Sequence, residues 1–107
     1  MSEPKPSLTA QSILIRQLRR NVMMALNMFY PTKVLVGTLY RAVVGIEPTY
    51  EKALFVKDVF YLKDKGYVVL SSNPMKPAGK VEQDYIVLTA AGKEIAEQTM
   101  IDPAMEI

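Results

Sequence analysis

With 107 residues the chain is long enough for one hydrophobic core and too short for two domains, and its 50% hydrophobic and 22% charged content sets it apart from disordered chains. It holds no cysteine and no histidine, which excludes disulfides, thiolate chemistry, and the commonest general base and transition-metal ligand. A formal charge of +2 leaves any polyanionic partner to be decided by how the charges are distributed.

Residues 1–8 carry two prolines and alternating charge, and read as a flexible leader. The opening "SEPKPSLTAQ" is polar and proline-broken, unlike a secretory signal, and no apolar run reaches the roughly 20 residues that span a bilayer. A cytoplasmic chain without membrane contact is expected. Thr9 or Ser12 is placed to cap a long helix, because Ile13, Leu14, Leu18, Val22, Ala25, Leu26 and Phe29 recur at three- and four-residue steps. Pro31 ends it. Arg16, Arg19 and Arg20 crowd this helix, with no acidic residue between Gln11 and Tyr30.

"TKVLVGT" predicts a brief strand at 33–35, after which Gly37 and Thr38 reset the backbone. In "TLYRAVVG", Leu39, Ala42 and Val43 have helical spacing, and Gly45 is placed to stop a two-turn helix. "IEPTYEK" predicts a turn with Thr49 as cap and Glu51 and Lys52 in the first turn of a third helix, which runs to Gly66. "YVVLSS" and "DYIVLT" are strand-like, and the proline- and glycine-bearing "NPMKPAGKVEQ" between them predicts a ribbon with a long tip. Thr89 is the cap of a last helix, "AAGKEIAEQTM", and 101–107 form a tail. A lone two-stranded ribbon is marginal in water, so it must pack on the helices.

The segment "TLYRAVVGIEPTYEKALFVKDVFYLKDKGYVVL" together with "DYIVLTAAGKEIAE" resembles the winged helix-turn-helix pattern of MarR- and PadR-like bacterial regulators. In that pattern a leucine stands four residues before the glycine that closes the third helix, and the returning strand ends in "LT..G"; Leu62, Gly66, Leu88, Thr89 and Gly92 match it. The resemblance covers residues 33–98 or so. It implies an α+β fold, mainly helical, with one winged-helix domain over 9–100 and a two-stranded β wing. It further implies a small transcriptional regulator of bacterial or phage type that binds double-stranded DNA as a homodimer built by its first and last helices.

Phasing the third helix on Leu62 sends Phe55, Val59 and Leu62 into the core and leaves Lys52, Ala53, Val56, Lys57 and Phe60 on the opposite face. On the DNA reading, Lys52, Val56 and Lys57 meet the major groove and Lys76 and Lys80 of the wing meet phosphates. Arg16, Arg19 and Arg20 then supply a further backbone clamp. The same cations also suit a solvated surface, and the wing lysines a merely soluble loop. Phe60 and Tyr61 add apolar surface beyond what one core contact requires, as an interface with another chain would. Met23, Met24 and Met28 suit either a dimer seam or an irregular gap in the core.

No catalytic constellation is visible. Glu51 with Asp58, and Glu94 with Glu97, are scattered carboxylates, and "AGK" occurs twice without the rest of a phosphate loop. A non-enzymatic protein with no cofactor and no metal is expected. The alternative to DNA binding is a protein-protein interaction module docking through Val56, Phe60 and Tyr61.

Overall fold

A computed structural model describes residues 6–75 and 80–101. The fold is α+β and mainly helical, in the order α1 (Pro6–Phe29), β1 (Val34–Leu35), α2 (Val36–Ile46), α3 (Lys52–Asp64), β2 (Val68–Ser71), a single 3-10 turn (Val81–Gln83), β3 (Tyr85–Leu88) and α4 (Ala90–Ile101). Among the described residues no helix is long and apolar enough to cross a membrane.

Helix α1 starts earlier than expected. It is already helical at Pro6, the first described residue, so neither Thr9 nor Ser12 caps it. The helix therefore takes in 6–8 of the expected leader. Its inward stripe of Leu18, Val22 and Leu26 is fully buried. At 24 residues it is about 36 Å long, the backbone against which the other elements are laid.

Two boundaries of α2 also differ from expectation. The chain passes from β1 into α2 without a break, Leu35 being both the last strand residue and the N-cap, so Gly37 and Thr38 lie inside the first turn. The 3-10 turn presses on that site, and a Cβ on Gly37 would stand 3.1 Å from the Glu82 carbonyl oxygen. Nor does Gly45 stop the helix, which continues to Ile46 and closes with the Glu47 N–H on the Val43 carbonyl at 2.9 Å. Thr49 does not cap α3. Its hydroxyl instead donates to Glu47 Oε1 at 2.6 Å within the connecting turn, and Glu51 takes the N-cap position.

Helix α3 follows its predicted phase: Phe55, Val59 and Leu62 are all buried. It ends as Gly66 adopts φ of 80°, where a side chain would be strained. The Tyr67 N–H then reaches back to the Leu62 carbonyl at 3.0 Å and the Gly66 N–H to Lys63 at 2.9 Å, the paired bonds of a Schellman stop. The chain leaves this stop already aimed as β2.

The sheet has three antiparallel strands, not two, in the order β1-β3-β2. Val68 faces Leu88 and Ser71 faces Tyr85 across β2 and β3, while Val34 faces Ile86 on the other side. Two residues of β1 thus turn the expected ribbon into a sheet and place Ile86 at its buried centre. Thr89 caps α4 as expected, accepting the Gly92 N–H at 3.0 Å; the same hydroxyl donates to the Gly66 carbonyl at 2.7 Å. One threonine thereby ties the end of α3 to the start of α4. Lys93, in the first turn of α4, reaches Asn27 Oδ1 at 3.4 Å and fixes that helix along the end of α1.

Candidate nucleic-acid interface and the polar cluster behind it

The outward face of α3 carries Lys52, Ala53, Lys57 and Phe60, all exposed. Val56 is half-buried and packs against the core, which leaves less of it for a partner than the sequence reading gave it. Phe60 is 42% exposed, large for a central helix position, with the Lys63 ammonium 5.9 Å from its ring centre.

Lys52 is not a free cation. Its Nζ lies 3.5 Å from Glu82 Oε1, so the 3-10 turn ahead of β3 supplies a carboxylate to the start of α3. A hydrogen bond to its own backbone N–H and the neighbouring Lys52 hold the Glu82 carboxyl below its ordinary range. Lys80 is exposed beside that turn, whereas Lys76 lies outside the described residues.

The three arginines of α1 diverge. Arg16 is exposed. Arg19 points inward: its Nε donates to Asp58 Oδ1 at 3.2 Å, and its guanidinium lies 3.5 Å over the ring of Tyr61. Arg20 is half-buried, with an Nε that is shut off from water and has no hydrogen-bond partner among the described residues. A shared three-arginine phosphate clamp is therefore not what the fold builds: Arg19 and Arg20 are consecutive, so a helical step of about 100° turns them to opposite flanks of Arg16, and Arg19 is engaged by Asp58 and Tyr61.

The methionines divide in the same way. Met23 is fully buried and fills the core, which removes it from any seam with another chain. Met28, 84% exposed, and Met24 remain on the outer side of α1, in company with exposed Ile13 and Leu14. Tyr61 is half-buried under Arg19, so of the two aromatic candidates only Phe60 stands out from the surface.

Behind this face lies a cluster that the sequence reading did not assemble. Asp58 is 1% exposed, and its second oxygen accepts a hydrogen bond from the Tyr50 hydroxyl. Tyr50 is itself buried, stands edge-on to Phe55 at 5.8 Å, and offers its backbone carbonyl to the Tyr40 hydroxyl at 2.7 Å. Burial, and then the bond to Asp58, push the Tyr50 hydroxyl well above its ordinary pKa of 10.0. The sequence did hold a signal for this site: Asp58 stands three residues after Phe55 and four before Leu62, on the apolar stripe itself. A carboxylate there needs a donor, and the arginine-rich first helix was the available source. Glu51, paired with Asp58 on paper, is exposed at the helix start and takes no part.

No known protein family, curated protein or solved structure matches this chain.

Proposed function

We propose that the protein is a winged helix-turn-helix DNA-binding protein, a small regulator of bacterial or phage type, with α3 in the major groove and the β2–β3 connection on the flanking backbone. The observation that carries this reading is the outward row of Lys52, Ala53, Lys57 and Phe60 on a helix that passes through one glycine stop into a strand, a lysine-bearing connection and a returning strand. Lysines on such a row meet guanine edges or phosphates, and the apolar members meet thymine methyls. The exposed Ile13, Leu14, Met24 and Met28 on α1 support a homodimer, which would read two half-sites about one helical turn apart.

The test is binding of the purified protein to random duplex DNA at two salt concentrations, repeated with Lys52, Lys57, Lys76 and Lys80 changed together to alanine. The expected result is salt-sensitive binding whose affinity and salt slope both fall in the variant. Unchanged affinity and slope would sink this mechanism.

A second reading rests on Phe60: an exposed aromatic at the centre of α3 also suits a winged-helix module that docks on another protein. Absence of salt-sensitive DNA binding by the wild type, with Phe60→Ala abolishing a protein contact, would select it.

A further inference from the structure

We propose that Arg19, Asp58 and Tyr50 form a positioning strut that fixes the rotation of α3 about its own axis and so decides which side chains it presents to DNA. This inference rests on the DNA-binding reading and adds how that surface is held.

The contacts that α3 makes through Phe55, Val59 and Leu62 are apolar, and the hydrophobic effect that drives them is non-directional. The strut is directional. Asp58 receives one donor from α1, the Arg19 Nε, and one from the turn before α3, the Tyr50 hydroxyl. Arg19 then grips α3 a second time by lying over Tyr61, three residues further along the same flank. Tyr50 is tied in turn to α2 through the Tyr40 hydroxyl. Two points of attachment about one turn apart, anchored on two other helices, resist rolling of α3 in a way that a single bond would not.

The lever arm makes this matter for recognition. A roll of about 20° carries a lysine tip, at roughly 9 Å from the helix axis, through about 3 Å. That displacement is enough to lose a hydrogen bond to a base edge. Stability alone does not call for such a cluster, since buried ion pairs can often be replaced by apolar side chains of similar volume without loss.

That difference supplies the test. Arg19→Met, Asp58→Leu and Tyr50→Phe are combined in one variant, which leaves net charge unchanged and removes the polar ends of the Arg19–Asp58 and Tyr50–Asp58 contacts together. Melting temperature is measured alongside affinity for the tightest duplex that the wild type selects from a random pool. The expected result is a melting temperature no lower than wild type, an affinity for that duplex reduced by about tenfold, and unchanged affinity for an unselected duplex. A folded variant that binds the selected duplex as the wild type does overturns the strut. Should the triple variant fail to fold, Arg19→Lys keeps the charge while losing the ring contact and the fixed geometry of the guanidinium, and the same two outcomes decide. If the wild type binds no duplex at low salt, the DNA reading itself falls, an outcome separate from loss of the strut alone.

Discussion

Arg19 and Asp58 meet between α1 and α3 with Nε 3.2 Å from Oδ1, and the two ends of the pair differ in access to water: the Asp58 side chain is 1% exposed and that of Arg19 is 20% exposed. Removing one partner is therefore not equivalent to removing the other.

Arg19→Ala leaves a buried carboxylate with only the Tyr50 hydroxyl as donor, at an expected cost of about 3 kcal/mol. Asp58→Leu leaves an arginine that can turn outward and one unpaired hydroxyl, at about 1 to 2 kcal/mol. Urea unfolding of both variants measures the difference. Equal costs would mean that Asp58 is less sealed than its burial indicates.

Tyr50 gives the pair a signature in pH. Its folded pKa is raised above the unfolded value of 10.0, so the bound proton stabilises the native state fully below that value and the contribution is lost as pH rises. Above about pH 10 the unfolded chain releases a proton that the native state retains. The stability of the wild type relative to Tyr50→Phe should be flat through neutral pH and then fall by about 1.4 kcal/mol per pH unit. Parallel curves for the two proteins through pH 11 or so would show that the hydroxyl ionises as freely in the fold as in water.

Three glycines should respond to alanine in three ways. Gly92 lies where a Cβ would stand 1.9 Å from the Tyr67 carbonyl oxygen, so Gly92→Ala must push α4 away from the end of α3, at about 3 kcal/mol. Gly66 has open space around it but a φ of +80°, and Gly66→Ala should cost about 1 kcal/mol from backbone strain alone. Gly45 lies inside α2 with nothing within 4 Å of a Cβ, and alanine there should stabilise by about 0.5 to 1 kcal/mol. Thermal melting ranks the three. A destabilised Gly45→Ala would contradict its placement within the helix.

What the sequence disclosed follows from how local each signal is. The phase of α3, the glycine stop at Gly66 and the threonine cap at Thr89 depend on residues within one or two turns, and all three stand in the structure. Gly37, Gly45 and Thr49 depart from what their residue types suggest: Gly37 lies in the first turn of α2 with the 3-10 turn packed against it, Gly45 lies one residue before the end of α2 with open space around it, and the Thr49 hydroxyl bonds Glu47 within the turn. The pairing of β1 with β3, the inward turn of Arg19 and the pairing of Lys52 with Glu82 join residues far apart in the chain. Periodicity marks a strand at 33–35 and a carboxylate on the buried stripe at Asp58, but it does not name the partner of either. The candidate surface was thus legible as a helix face, while the groups that hold and partly neutralise it were not.

The Lys52–Glu82 contact yields a prediction about binding that separates it from folding. Both side chains are substantially exposed, and exposed pairs add little to stability, so Glu82→Gln should leave the melting temperature unchanged. On the proposed DNA reading, the same change removes a negative charge from beside the first lysine of the groove helix. Affinity for duplex DNA should rise by roughly threefold at low salt, with the gain fading as the Debye length contracts. In a Lys52→Ala background the gain should shrink, because the carboxylate then has no groove-facing cation to neutralise. Mild acid should not imitate the substitution: the lowered pKa keeps Glu82 ionised at about pH 5. Measurement of binding by the four proteins of this cycle at two salt concentrations decides the matter, and weaker binding by Glu82→Gln would show that the carboxylate orients Lys52 for DNA instead of competing for it.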